Sequence, residues 1–201
     1  MMRSAAHHAV THPTQPRTEA MHPMLETYWS EAAPFEAFLE TVSEKADLWR
    51  SHARRVKLHE DELARVRDLS YSRKLLVLTE DWCGDAIRSL PVVAALAAES
   101  PGLELRVLNT DAHPEALSGR LTKGARAIPI VVLFDEEGRE IGSWGPRPAP
   151  LQAQLREKLR TEGPPPEGAL GEYYAPIFSW YAKDKGRTVA QELLMLLERG
   201  S

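Results

Sequence analysis

Apolar residues change their spacing along this chain, and the changes mark out its elements. Lys74-Leu75-Leu76-Val77-Leu78-Thr79 is a short, nearly unbroken apolar run, the pattern of a buried strand. Ile87, Leu90, Val93, Ala94, Ala97 and Ala98 then recur at helical steps and predict a helix over about 84–99. Ser100-Pro101-Gly102 makes a turn, and Glu104 and Arg106 alternate with apolar neighbours in a strand over 103–108. A short helix follows over 113–121. Pro129 opens an apolar run through Phe134, and Glu136-Glu137-Gly138 turns it into a second hairpin arm at 140–144. A helix over about 149–160 closes the series. The order β-α-β-α-β-β-α predicts an α/β fold whose mixed sheet is covered by helices on both faces.

The flanks read differently. Pro34 suits the first turn of a helix, and Leu39, Val42, Ala46, Trp49, Ala53 and Val56 continue as one apolar stripe, which predicts a single long amphipathic helix. A shorter helix over 60–69 presents Leu63, Val66 and Leu69. Gly163-Pro164-Pro165-Pro166 reads as a stiff linker. Beyond it lie an aromatic helix carrying Tyr173, Tyr174, Ile177, Phe178, Trp180 and Tyr181, and a last helix with Val189, Leu193, Met195, Leu196 and Leu197. The expected organisation is a disordered tail over 1–23, a helical extension over 24–70, a central domain over 71–162, and a linker with a helical pair over 163–201 that packs back on that domain.

Composition narrows the classes. With 201 residues, 43% hydrophobic and 27% charged, the chain has the balance of one buried domain with appendages. Its net charge of −4 comes from interleaved acids and bases, so neither nucleic acid nor a membrane surface is an expected partner. No apolar run approaches the roughly 18–20 residues of a membrane span. One cysteine precludes an intramolecular disulfide, and the start of the chain lacks the apolar core of a signal peptide. The expectation is a soluble, cytoplasmic protein.

That cysteine carries the candidate chemistry. Cys83, in Glu80-Asp81-Trp82-Cys83-Gly84-Asp85-Ala86, stands where the first strand turns into its helix. Unpaired amides and the positive end of the helix dipole favour a thiolate there, with Arg88 or Arg126 adding to the effect. Glu80, Asp81 and Asp85 oppose it, and sequence leaves the sign of the net shift open. Ala86 occupies the place of the second thiol in a Cys-x-x-Cys pair. His7, His8, His12 and His22 match no familiar metal-ligand spacing, and no cluster has structural-zinc spacing. His52 and His59, seven apart, read as a solvated helix face. Gly119 and Gly124 do not make a phosphate loop.

The element order and Trp82-Cys83-Gly84 together resemble the thioredoxin family. Pro91, eight residues after Cys83, matches the family's helix-kinking proline. Ala127-Ile128-Pro129 places a proline 46 positions beyond the cysteine, where the family has its cis-proline, and Phe134 through Gly138 resembles its strand-end and turn. The match covers about 74–160, and the chain looks like a bacterial branch of the family with a single-cysteine motif. The resemblance implies a three-layer sandwich. It also implies an exposed sulfur, an apolar wall from Trp82, and a backbone edge at Ile128-Pro129 able to pair with an extended substrate. Gly84 and Asp85 complete the implied binding residues, with Trp144 and Arg147 as a weaker extension of the rim. Three departures stand out: Ala86 for the resolving cysteine, Asp85 for the intervening proline, and Val77 for the buried acid that assists proton transfer.

The leading expectation is a monothiol oxidoreductase in which Cys83 attacks protein or low-molecular-weight mixed disulfides. It needs no bound cofactor or metal, only an external resolving thiol such as glutathione or bacillithiol. The alternatives are a redox-inactive module that binds proteins in the same groove, and a sensor that forms an intermolecular Cys83–Cys83 disulfide. A homodimer is a further possible assembly.

Overall fold

The computed structural model describes residues 21–120 and 126–199. Most of the expected N-terminal tail, with His7, His8 and His12, lies outside the described residues, as does Gly124. Five strands form one sheet in the order β1-β3-β2-β4-β5: Ala33–Pro34, Leu103–Asn109, Arg73–Thr79, Ile130–Phe134 and Glu140–Trp144. β2 and β3 run parallel in register from Arg73 against Leu103 to Thr79 against Asn109. The other pairings are antiparallel. The two-residue β1 is an element the hydrophobic pattern does not announce.

Strand alternation splits the core into two layers. Leu75 and Val77 of β2 join Val131 and Leu133 of β4 on one face. Leu76 and Leu78 join Ile130, Val132 and Phe134 on the other. The first face is covered by α2 (Phe35–Thr41), α3 (Ala46–Arg55), α5 (Gly84–Ala98) and α8 (Arg187–Leu197). The second is covered by α1 (Pro23–Tyr28) and a short 3-10 turn at Pro114–Leu117, which replaces the longer helix expected over 113–121. Burial on both faces is why β2 reads as an apolar run rather than an alternating one. α4 (Glu60–Arg67) packs on α8, while α6 (Ala149–Glu162) and α7 (Leu170–Asp184) form a third cluster through Leu151, Leu155, Tyr173, Ile177 and Tyr181. His22 caps α1, its Nδ1 accepting from the Met24 amide at 3.2 Å.

The single long helix expected after Pro34 is two helices. The stripe of apolar residues is continuous, but the backbone breaks between Thr41 and Ala46, with Lys45 in the left-handed region at φ 52°. The cause lies 38 residues away. One carboxylate oxygen of Asp81 accepts from the Ser43 amide at 2.9 Å, the Ser43 hydroxyl at 3.1 Å and the Glu44 amide at 3.0 Å. Those donors are free only because the helix stops. From the same corner, Lys45 Nζ donates to the Trp82 carbonyl at 2.6 Å, and the indole of the fully buried Trp49 donates to the Asp81 carbonyl at 2.7 Å. Five donors from the α2–α3 corner and α3 therefore fix the residues just before Cys83.

Burial acts to raise the Asp81 carboxyl, but hydrogen bonds from Glu44 and Ser43 outweigh it and hold it below its ordinary range. A depressed folded value means stability that is present above the unfolded carboxylate pKa and lost as pH falls through the folded one. We expect Asp81→Ala to lower unfolding free energy at pH 7 by roughly 1–2 kcal/mol, the effect of losing a helix-end acceptor. Denaturant melts should show this difference shrinking as the wild-type protein is acidified through the Asp81 titration.

Candidate functional site around Cys83

Cys83 is the N-cap of α5 and offers no side-chain cap of its own. Its sulfur lies in a cleft of about 320 Å³ lined by Trp82, Gly84, Asp85, Arg126, Ile128 and Arg147, with Tyr174, Ile177 and Phe178 from α7. The residue is only 6% exposed, so the sulfur is at the cleft floor rather than on the rim. The thiol donates to the Ile128 carbonyl at 3.5 Å. Trp82 is 48% exposed and forms an outer wall, its indole N–H 3.5 Å from Asp111 Oδ2. The Ile128–Pro129 peptide is cis. Gly145 (φ 124°) lies against it, and a Cβ there would sit 2.2 Å from the Pro129 carbonyl oxygen. Only glycine allows that approach.

Asp85 is the electrostatic centre of the site. It is 7% exposed, and Arg147 pairs with its Oδ2 at 2.5 Å. Tyr181 donates its hydroxyl to Oδ1 at 3.1 Å. Burial pushes the Asp85 carboxyl up despite both partners, and burial with the Asp85 charge pushes the Tyr181 phenol up as well. For Cys83, burial is the largest influence and raises the thiol; the Asp85 charge adds to that rise, while the Ala86 and Asp85 amides and the Arg147 charge pull the other way. The sign that sequence leaves open is therefore upward, toward the neutral thiol.

The remaining candidates separate. Arg126 lines the cleft, whereas Arg88 donates to the Gly84 carbonyl at 2.7 Å and lies 4.1 Å over the Phe178 ring. Trp144, the last residue of β5, is buried and donates to Glu192 at 2.7 Å, and is not part of the rim; Arg147 is. Val77 is core, 0% exposed. Glu80 is buried too, but it is spent on Thr110 Oγ1 at 2.7 Å and the Asp111 amide at 2.5 Å. Among the described residues, no group of three or more His, Cys, Asp and Glu is disposed to hold a metal. No described helix is long and apolar enough to cross a membrane. Reading the aromatics of α7 as core finds Tyr173, Ile177 and Tyr181 but misses the role of Tyr181 as a ligand to Asp85. The spacing of Tyr174, Ile177, Phe178 and Tyr181 on one helical face is the signal that would have found it.

A family model described as thioredoxin matches residues 32–160. The chain belongs to the thioredoxin family. A crystal structure of a protein of unknown function from Pseudomonas aeruginosa is 19% identical, with a TM-score of 0.67 over 86% of this chain and 95% of its own. The crystal structure of an HIV epitope scaffold is 20% identical, with a TM-score of 0.66 over 86% and 96% of the two chains. At those identities the likeness is one of fold. A Trichomonas vaginalis thioredoxin structure, 20% identical, covers 51% of this chain and 92% of its own at a TM-score of 0.28, too low to bear on the argument. No curated protein matches the chain.

Charge balance at the thiol generates a paired prediction. Asp85→Asn removes a negative charge and should lower the Cys83 pKa, so more thiolate exists at pH 7. Arg147→Gln removes a positive charge and should raise it. Iodoacetamide alkylation at pH 7 should then run roughly three- to tenfold faster in the first variant and slower in the second, measured on protein verified as folded.

Proposed function

We propose that this protein is a single-thiol thiol–disulfide oxidoreductase that acts on mixed disulfides through Cys83 and relies on an external low-molecular-weight thiol. What supports the reading is the juxtaposition of the Cys83 sulfur with the Ile128 carbonyl at 3.5 Å on the floor of a cleft. There an extended substrate segment can lie along the Ile128-Pro129 edge with its disulfide over the sulfur. The Cys83 thiolate attacks one sulfur of the mixed disulfide, the S–S bond breaks, and the released thiolate takes up a proton. A thiolate of the external thiol then attacks the new Cys83 disulfide, restoring Cys83 and leaving as the oxidised disulfide. No second protein thiol is consumed, consistent with Ala86 at the resolving position. Trp82 supplies an apolar wall, Gly84 leaves room for the Phe178 ring beside the cysteine turn, and Arg126 and Arg147 suit an anionic thiol or peptide. Asp85, held by Arg147 and Tyr181, keeps the resting thiol protonated, so reaction depends on what enters the cleft.

A second reading has an observation of its own. With 6% exposure and its thiol engaged by Ile128, Cys83 is also suited to a redox-silent module that binds extended peptide in the same cleft. The floor position disfavours a direct Cys83–Cys83 bond between two copies.

Turnover of a glutathionylated peptide by the whole protein with reduced glutathione separates the two. We expect turnover that is lost in Cys83→Ser and increases with pH from 6 to 9 as the thiolate fraction grows. Equal rates in wild type and Cys83→Ser would overturn the oxidoreductase reading, and peptide binding that survives Cys83→Ala would then carry the module reading.

A further inference from the structure

A second cavity, larger than the cysteine cleft, lies elsewhere in the described structure. It is a hollow of about 530 Å³ on the other side of Arg88, where the end of α3, the start of α4 and the α7–α8 corner meet. Its lining contains His52, Arg55, Lys57, His59, Arg88 and Lys185, and no acid. Val56, Leu58 and Val92 supply an apolar wall between these groups. For a protein of net charge −4, an opening ringed by bases with no carboxylate is a local inversion of the whole.

Four of the nearby acids are committed elsewhere, and Glu60, in the first turn of α4, is exposed to solvent. Asp61 and Glu62, in the first turn of α4, pair with Arg187 at 2.6 and 3.2 Å. Asp184 holds the Thr188 amide at 3.0 Å. Asp85 belongs to Arg147. Among the described residues, Arg55, Lys57 and Lys185 make no ion pair within 4 Å. Helix ends account for part of this placement, since cations favour the C-termini where Arg55 and Lys185 stand. However, His59 and Gly186, the N-caps of α4 and α8, also line the cavity, so two positive helix ends oppose two negative ones. Arg88, near the N-terminus of α5, is on the wrong end of its dipole for a cation. The positive potential is felt locally: burial, then the charges of Arg88 and Arg55, hold the His52 imidazole below its ordinary range.

We propose that this cavity is a binding site for a small organic oxyanion, a phosphorylated or polycarboxylate molecule whose charged group lies among Arg55, Lys57, Arg88 and Lys185 and whose apolar part rests on Val56, Leu58 and Val92. The volume suits a small metabolite, and converging cations on an apolar floor are the recognition elements such a ligand requires. The site is separate from the cysteine chemistry and stands whether or not Cys83 reacts.

Calorimetric titration of the whole protein with phenyl phosphate and with phthalate, at constant ionic strength, tests it. The two dianions share an aromatic body and differ in head group, so their ranking identifies the ligand class. We expect saturable 1:1 binding of at least one probe, weakened about tenfold or more in Arg55→Gln/Lys185→Gln. Lys57→Gln, a single change at an exposed loop position, should weaken it in the same direction. Arg54→Gln removes the same charge from the outer face of α3 and should bind as wild type, as should Cys83→Ser. No saturable binding of either probe would overturn the site. So would equal loss in Arg54→Gln, or unchanged binding in both cavity variants.

Discussion

A carboxylate buried in the first turn of a helix demands both a counter-charge and hydrogen-bond donors, because an isolated charge in the protein interior is strongly disfavoured. Asp85 draws these from distant parts of the chain: Arg147 from the segment between β5 and α6, and the Tyr181 hydroxyl from α7. That demand brings α7 over the cysteine turn, where Phe178 packs against Gly84 and a Cβ on Gly84 would already stand 3.3 Å from its ring. The cleft around Cys83 is therefore shaped by the solution to one electrostatic problem. The same groups then set the state of the thiol, since Asp85 and burial raise it while Arg147 pulls it down.

The turn is held from its other side by a second carboxylate used differently. Asp81 is partly exposed and terminates a helix rather than lining the cleft. It collects the Ser43 and Glu44 amides while its own carbonyl receives the Trp49 indole. Two acids four residues apart thus fasten the cysteine turn to two separate helical segments, one between β1 and β2 and one following β5.

Much of the architecture is visible in residue spacing, because each buried strand and amphipathic helix records its own surroundings. β2 is apolar at nearly every position since both its faces are covered, and the helix after Cys83 repeats at the expected period. The break between α2 and α3 is not visible, because the apolar stripe runs through it and the carboxylate that stabilises it is remote in sequence. β1 escapes for a related reason: two residues are too few to show a period. At the site, Cys83, Trp82, Gly84, Asp85 and Ile128 are legible from the motif and do come together around one cleft. The direction of the thiol shift is not, since burial is a property of the folded whole. Tyr181 and Phe178 looked like core because an aromatic helix face has the same periodicity whether it packs on apolar side chains or on a functional turn.

Arg88 links the two cavities and limits what each can do. Its guanidinium donates to the Gly84 carbonyl, stacks on Phe178 at the edge of the cysteine cleft, and lines the basic hollow behind. Half-buried, the guanidinium is held below its ordinary range by burial, which the Asp85 charge only partly offsets. An oxyanion in the hollow would compete with the Gly84 carbonyl for its donors, and Gly84 is the residue immediately after the sulfur. Tyr181 lies between the two cavities as well, lining the hollow while its hydroxyl donates to Asp85, so two side chains touch both the hollow and the first turn of α5.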